Sequence, residues 1–475
     1  MRRSMWWTLA VLGVAQCMVV LDATVVNVAL PKVQTALSFS PSNLTWVISA
    51  YTLTFGGFLL FGGRVADLIG RRTVFLVGVG VFTAASLVCG LAPSSAVLIA
   101  ARGAQGLGAA LLSPAAFAIL TVTYAHGRER NIAMSVWAGL AGVGGTLGIV
   151  LGGALVSAVG WEWVFFINVP VGIVLVTFGG GLLKNSRADT HGHVRSFDIP
   201  GALLATTGTL AIIFGAVRSG PLGWGSSEVL ASLITGLLLL AAFVFAESRA
   251  KAPLVPLRLF NLHGLRTSGG ALAANGSVFF ALLFLASIYL QQARGYSPVI
   301  VGLQLLPMGV AAVGGAALAS TMIERIGIRP LQAVGALLQA GGLLLLTHMS
   351  ATSPYVSVLL PGTILVGLGI TMVMVPAQVA AVTDVHKDDA GAASGLVNAS
   401  FQIGGGIGLA VINSLATSRT AHALAGGATH ASALTAGFQR GLLIAAIIAG
   451  INIAIGLTSP RLRPTTKQMT QAAAA

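Results

Sequence analysis

Residues 63–72 read Gly-Arg-Val-Ala-Asp-Leu-Ile-Gly-Arg-Arg, and residues 320–329 read Ser-Thr-Met-Ile-Glu-Arg-Ile-Gly-Ile-Arg. At an offset of 257 positions, acid aligns with acid, glycine with glycine and arginine with arginine. Each stretch follows one long apolar run and precedes another. Similarity at a fixed offset indicates an internal repeat. The structure that the flanking apolar runs adopt therefore decides the fold.

The composition places those runs in lipid. Of 475 residues, 56% are hydrophobic and 8% are charged, whereas soluble domains carry about 25% charged residues. The chain is therefore an integral membrane protein. The net charge of +14 does not indicate nucleic-acid binding, because the basic residues are scattered rather than clustered with aromatic ones.

Fourteen runs are long enough to cross a hydrocarbon core as helices, which takes about 20 residues. They lie near 6–30, 43–63, 73–92, 96–121, 131–158, 164–183, 198–217, 228–246, 267–291, 298–322, 330–349, 355–380, 391–416 and 437–458.

The basic residues support this count. If both termini are cytoplasmic, 20 of the 26 Lys and Arg residues fall in cytoplasmic segments, as the positive-inside rule requires. One more, Arg102, lies within a span, and five fall outside: Lys32, Arg218, Arg294, Arg419 and Arg440. A missed or extra helix would reverse every later loop and remove this bias.

The repeat offset predicts two six-helix halves with two helices inserted between them. The predicted divisions are an N-terminal bundle (1–184), an inserted pair with flanking loops (185–266), a C-terminal bundle (267–458) and a cytoplasmic tail (459–475). Parallel six-helix repeats are typical of a large class of secondary transporters.

Asp22 is the only acid within a predicted span. An ionisable residue there is costly and indicates a functional site with a partner; a purely structural role in tying helices together is the alternative. At 1.5 Å per residue, Asp22 lies about 24 Å and Arg102 about 28 Å from the cytoplasmic ends of their helices. An arginine that approaches or leaves a buried carboxylate changes how tightly that carboxylate holds a proton, which is what coupling to a proton gradient requires. Gln105 lies on the same helix face as Arg102.

Three further groups of residues are candidates. Gly63, Asp67, Gly70, Arg71 and Arg72 would form a conformational gate on the cytoplasmic side, although ordinary anchor charges would look similar. Small-residue spacing in the fifth helix predicts a close helix contact, at Gly144, Gly148, Gly152 and Gly153. Candidates for a substrate cavity are the polar residues within spans: Gln16, Asn27, Tyr51, Gln105, Tyr289, Asn398 and Gln402.

The sequence resembles the major facilitator superfamily, and within it the fourteen-helix drug:proton antiporters. The resemblance runs over essentially the whole chain. It is carried by residues 21–31 of the first helix, by 63–72, by Arg102 with Gln105, Gly106 and Gly108, and by 161–170. It implies an all-α membrane fold and a proton-transfer role for the fourth-helix motif. Three positions depart from the family pattern: Ile149 replaces a proline of the fifth-helix motif, Glu162 an arginine between two tryptophans, and Phe401 an arginine before Gln402.

The sequence thus predicts a proton-coupled exporter of drugs, antibiotics and dyes, working by alternating access. Alternatives are an exporter dedicated to one metabolite, self-made antibiotic or lipid, and a membrane receptor or scaffold that does not transport. We expect no enzymatic activity, no bound cofactor and no metal, and as partners the lipid bilayer, protons and a small-molecule substrate. The protein is expected to be a monomer. The excess of arginine over lysine and the frequent alanine and glycine are typical of high-GC bacteria, so we expect it in a bacterial inner membrane.

Overall fold

The computed structural model describes residues 3–124, 127–183, 199–250, 253, 257–350, 352–383, 385 and 390–461. Residues 185–198 and all but the first three residues of the predicted 459–475 tail therefore lie outside the described residues. The α-helices are α1 Arg3–Ala36, α2 Trp46–Ile69, α3 Arg71–Gly90, α4 Ser95–Thr123, α5 Gly127–Ala158, α6 Trp163–Phe166, α7 Asn168–Leu182, α8 Ile199–Leu222, α9 Ser227–Arg249, α10 His263–Ile288, α11 Pro298–Ile326, α12 Ile328–Leu346, α13 Leu360–Thr383, α14 Ala390–Ala425 and α15 His430–Thr458.

Most of these helices are long and apolar enough to be membrane spans. Within the described part of the chain, twelve helical segments are long and apolar enough to cross a membrane, which confirms the all-α membrane fold. One of the twelve, Trp163–Leu182, contains both α6 and α7, which join at Ile167. Helices α2 and α5, with 24 and 32 residues, lie outside that set of twelve.

The two similar stretches of sequence form the same turn. α2 ends at Ile69 and α3 begins at Arg71, and the single residue between them, Gly70, has φ 126°. Gly327 joins α11 to α12 in the same way, with φ 88°. A positive φ is cheap only for glycine, so the aligned glycines let consecutive helices reverse direction across one residue.

Helix packing follows the same pattern in both halves. α4 packs on α2 and α3, and α13 packs on α11 and α12. α1 lies along α5 as α10 lies along α14. Each half thus has its own bundle, and the inserted helices α8 and α9 pack mainly on each other.

The inserted pair lies at a seam between the halves, because α8 contacts both α2 and α14. Ile213 and Val217 are buried there against Leu53 of α2 and Ala410 of α14. Ser219 and Ser414 share a hydrogen bond of 2.7 Å at the predicted external end. α9 is largely exposed on the outside of the bundle, as suits a helix that faces lipid.

The halves meet at the predicted external end. Among described residues, four hydrogen bonds join them there: Gln291 to the Val28 carbonyl (2.9 Å), Gln292 to Gln34 (2.7 Å), the Val299 amide to Ser157 (3.2 Å) and Asn413 to the Pro41 carbonyl (3.3 Å). This end of the bundle is therefore closed by polar contacts as well as by packing.

Candidate functional site

The Asp22 side chain lies in the middle of the N-terminal half. α1 runs unbroken from Arg3 to Ala36 and places Asp22 against α4, where its exposed fraction is 0%. Arg102 Nη1 lies 2.6 Å from Asp22 Oδ2, and Arg102 is 1% exposed. The two residues that the sequence assigns to similar depth are thus a buried ion pair.

Three further contacts fix Arg102. Its Nε donates to the Val47 carbonyl at 2.9 Å, and its Nη1 also donates to Gln105 Oε1 at 2.7 Å. The guanidinium carbon lies 4.3 Å from the centre of the Tyr51 ring, a cation–π contact. α2 therefore also holds the arginine, through Val47 and Tyr51.

Two amides bind the other oxygen of Asp22. Gln105 Nε2 donates to Asp22 Oδ1 at 2.7 Å, and Asn168 Nδ2 donates to the same atom at 3.0 Å. Both amides also donate to Ser86 Oγ, at 2.6 and 3.3 Å respectively. Asn168 reaches this position because it is the first residue of α7, immediately after the joint at Ile167.

Asn168 and Ser86 were not among the site residues predicted from the sequence. Asn168 lies in the 161–170 segment that carries the family resemblance, which was a usable signal, whereas Ser86 is an ordinary serine in an apolar helix. Both are buried, at 1% and 0% exposure. Asp22, Ser86, Arg102, Gln105 and Asn168 therefore form one polar cluster, contributed by α1, α3, α4 and α7.

The chemistry of this polar cluster centres on one buried ion pair, Asp22 with Arg102. A buried ion pair with several hydrogen bonds is stable as a unit, but removal of one partner leaves an uncompensated charge at a cost of about 3–5 kcal/mol. The Asp22 carboxylate has two ways to be neutralised: by the arginine that it binds here, or by a proton.

The glycines of α5 form two contacts. A methyl group added at Gly144, Gly148 or Gly152 would lie 2.7–2.9 Å from a carbonyl oxygen of α1, those of Cys17, Leu21 and Val25 respectively. At Gly153 it would lie 2.5 Å from the Pro298 carbonyl, at the start of α11. Hence the first three glycines hold α5 against α1, the helix of Asp22, and the fourth holds it against the other half.

The predicted gate residues surround the α2–α3 turn. Gly70 forms the turn itself. Gly63 faces α4, where a methyl group added at Gly63 would lie 3.7 Å from Pro114 Cβ. Arg72 donates to the Gly180 carbonyl of α7, and Arg71 also has an interaction partner. The side chain of Asp67 lies outside the described part of the structure.

The candidate cavity residues separate into different surroundings. Tyr51 and Gln105 lie at the buried ion pair, both with 0% exposure. Gln16 accepts from Ser113 at 3.0 Å, and Gln402 lies against Gly56 between α2 and α14.

Of the remaining three candidates, Asn27 donates to carbonyls of its own helix, those of Ala23 and Thr24. Tyr289 stacks on Phe438 with ring centres 4.3 Å apart, and Asn398 is half-buried. Among described residues, no group of three or more His, Cys, Asp or Glu side chains could hold a metal ion.

Comparison with known proteins gives a family model and relatives that agree with each other. Residues 12–409 match the family model of the Major Facilitator Superfamily. The chain is 40% identical to the puromycin resistance protein pur8 of Streptomyces alboniger, over 93% of this chain and 87% of that protein. It is 38% identical to the cephamycin export protein CmcT of Amycolatopsis lactamdurans, over 94% and 92%.

A solved structure has the same fold. It is a bacterial homologue of the human lysosomal transporter Spinster, crystallised in an inward-facing, unoccupied conformation. The TM-score is 0.66 at 16% identity, with 96% of this chain and 97% of that chain covered.

Proposed function

Because this chain belongs to the major facilitator superfamily, we propose that it is a proton-coupled transporter that exports amphipathic small molecules such as antibiotics, drugs and dyes. The direction is supported by the relatives, one named for puromycin resistance and one for cephamycin export. The observation that carries the energy coupling is the buried Asp22–Arg102 pair. No bound cofactor is needed, because the proton gradient supplies the energy.

Asp22 is the proposed proton-binding residue, and Arg102 modulates it. Protonation neutralises Asp22, so the attraction to Arg102 weakens and the arginine is held by its remaining acceptors, Val47 and Gln105. Because Asp22 is in contact with α4 and α7 at once, its protonation changes how these helices hold α1. That change is the proposed link between proton binding and movement of the helices.

Alternating access is proposed to occur between the two halves. The contacts at the external end, among them Gln34 to Gln292, would hold the closed state and break when the protein opens outward. The glycine contacts between α5 and its neighbours would permit close pivoting, because helix backbones there approach without intervening side chains. On the cytoplasmic side, Arg71, Arg72 and Asp67 would act as the gate, with Arg72 bound to α7 in the state described.

The proposed topology has fourteen spans in a 6 + 2 + 6 arrangement with both termini in the cytoplasm. It is supported by the charge distribution and by the presence of α2 and α5 beside the twelve apolar helices. We place the protein as a monomer in a bacterial inner membrane, in line with the bacterial relatives.

An exporter dedicated to one compound is the second proposal. Both relatives named above carry the name of a single antibiotic, which favours a narrow substrate range. The same fold and the same coupling site would serve either range, so the breadth of transport decides between them.

The experiment is transport by the purified protein in proteoliposomes with an imposed pH gradient. A panel of dyes and unrelated antibiotics should be accumulated, and a protonophore should abolish the accumulation. Transport confined to one chemical class would favour the dedicated exporter. If no compound moved and no ligand changed proton flux, the transport proposal would be wrong and a receptor or scaffold would replace it.

A further inference from the structure

A basic cavity lies at the external end of the C-terminal half, between the end of α14 and the start of α15. Its volume is about 480 Å³, and it is lined by Leu415, Ser418, Arg419, His422 and Arg440. Three of these five residues are basic. The His422 ring is bound to the Ser418 carbonyl at 2.8 Å, which orients it along α14. None of these residues belongs to the polar cluster around Asp22.

The positive charge in this cavity has no protein counter-charge among the described residues. Four arginines lie in predicted external segments, and two of them have partners: Arg218 binds Glu228 at 2.7 Å, and Arg294 donates to the Ser353 carbonyl at 2.8 Å. Arg419 and Arg440 have no hydrogen bond or ion pair with any described side chain. The two unpaired arginines are the two that share a cavity.

Arg419 and Arg440 line the same cavity, so their like charges face one shared space. Like charges repel each other most strongly within a Debye length, which is about 8–10 Å at physiological ionic strength. An anion between them would remove this repulsion. Guanidinium groups bind the oxygens of phosphate and carboxylate in paired, charge-assisted hydrogen bonds.

The surface below the cavity indicates the kind of anion. From Arg440, the outward face of α15 continues through Leu443, Ile447 and Ile451, which are 37%, 57% and 55% exposed. These positions recur every three or four residues and so form one stripe along the helix. Residues 441–457 carry no charge and span about 25 Å at 1.5 Å per residue. Arg440 therefore lies where the apolar part of the helix begins, at the level of lipid headgroups.

We propose that this cavity binds the phosphate of an anionic phospholipid from the leaflet at that end of the bundle. The phosphate lies between Arg419 and Arg440, and an acyl chain runs along the Leu443–Ile447–Ile451 stripe. A soluble anion would use the arginines alone, whereas a phospholipid uses the arginines and the stripe together. Basic pockets between membrane helices are suited to lipid headgroups for this reason. The site does not depend on the proposed transport of drugs.

The test is lipid binding by the full-length protein in detergent, measured by native mass spectrometry. Phosphatidylglycerol, phosphatidylcholine and inorganic phosphate are the three probes. We expect wild-type protein to retain phosphatidylglycerol in preference to phosphatidylcholine. Arg419→Ala and Arg440→Ala should each weaken phosphatidylglycerol binding by roughly ten-fold, since each removes a charge-assisted contact. The double variant should retain one phosphatidylglycerol fewer.

Arg218→Ala is the matched control, because it removes an exposed external arginine that does not line the cavity, and it should bind lipid as the wild type does. Melting temperatures in detergent supplemented with phosphatidylcholine check that all variants are folded. Arg440→Lys, which keeps the charge, should lose less binding than Arg440→Ala. Unchanged phosphatidylglycerol retention by the folded double variant would overturn the proposal. Inorganic phosphate that displaces phosphatidylglycerol at equal concentration would also overturn it, in favour of a site for soluble anions.

Discussion

Asp22 and Asn168 lie 146 positions apart in the chain, yet Asn168 Nδ2 donates to Asp22 Oδ1 at 3.0 Å, in a place where neither side chain is more than 1% exposed. Asn168 also donates to Ser86, so the amide joins α7 to both α1 and α3. In the proposed mechanism, a proton on Asp22 would therefore affect a contact with α7, the helix that also accepts the Arg72 hydrogen bond at Gly180.

Asn168→Ala should lower proton-driven transport at least several-fold. The substitution removes a donor to the Asp22 carboxylate and leaves Ser86 with one donor fewer, which should also reduce stability by about 1–3 kcal/mol. Asn452→Ala is the matched control: Asn452 is buried at 0% and donates to the Ala271 carbonyl in the other half. Both variants should melt earlier than the wild type. If gradient-driven uptake falls equally in both, Asn168 has only a structural role.

Gly148→Ala should destabilise the α1–α5 contact by about 1–3 kcal/mol, because the added methyl group would lie 2.9 Å from the Leu21 carbonyl and still closer to the Thr24 hydroxyl. Gly145→Ala is the control on the same helix, since its methyl group would meet Val20 at an ordinary 3.6 Å. Thermal unfolding of the purified variants measures the difference. Equal melting temperatures would show that α1 and α5 can separate at little cost.

Gly70→Ala and Gly327→Ala should each cost about 1–2 kcal/mol of stability, because both glycines have a positive φ that a Cβ disfavours. Gly80→Ala is the control: this helical glycine of α3 has open space around it, and alanine should be neutral or stabilising there. Chemical or thermal unfolding in detergent gives the comparison. The similar turn geometry predicts similar losses at the two positions, and a loss at only one would mean that the turns are not equivalent.

A short thiol-reactive cross-linker between cysteines placed at Gln34 and Gln292 should stop transport. These side chains form a 2.7 Å hydrogen bond between the halves, so a link there holds the external end closed. The assay is substrate uptake before and after cleavage of the linker, in a background where Cys17 and Cys89 are replaced by serine. Each single-cysteine variant should keep its activity after the same treatment. Normal uptake by the fully cross-linked pair would mean that the external end need not open.

The sequence predicted the ion pair but not its surroundings. Asp22 and Arg102 were recognisable because a charge within an apolar run is rare, and the rise per residue of a helix gives its depth. The position of a residue along a helix gives its depth in the membrane but not the neighbouring helix that its side chain faces. Tyr51 and Gln105, proposed for a substrate cavity, both contact Arg102. The sequence pattern did not show these contacts, because nearly every face of these helices is apolar and the pattern does not distinguish the bundle interior from a cavity wall.

The repeat was predictable for a related reason. Gly70 and Gly327 stand at the same offset as the acids and arginines near them, and a glycine between two apolar runs indicates a turn. The joint between α6 and α7 at Ile167 was not predicted, because residues 164–183 read as one apolar span. That joint places Asn168 at the ion pair, so the missed break and the missed site residue have the same cause.

The most direct test of proton coupling compares Asp22→Asn with wild type in proteoliposomes, in two assays of the same preparation. One assay measures accumulation driven by a pH gradient, and the other measures substrate exchange without a gradient. Asp22→Asn leaves Arg102 without its counter-charge, at a cost of about 3–5 kcal/mol. Melting temperature and the charge-neutral double variant Asp22→Asn with Arg102→Gln therefore serve as folding controls. We predict that Asp22→Asn loses gradient-driven accumulation at least ten-fold and keeps exchange. Accumulation at the wild-type rate in the folded variant would contradict the assignment of Asp22 as the proton-binding residue.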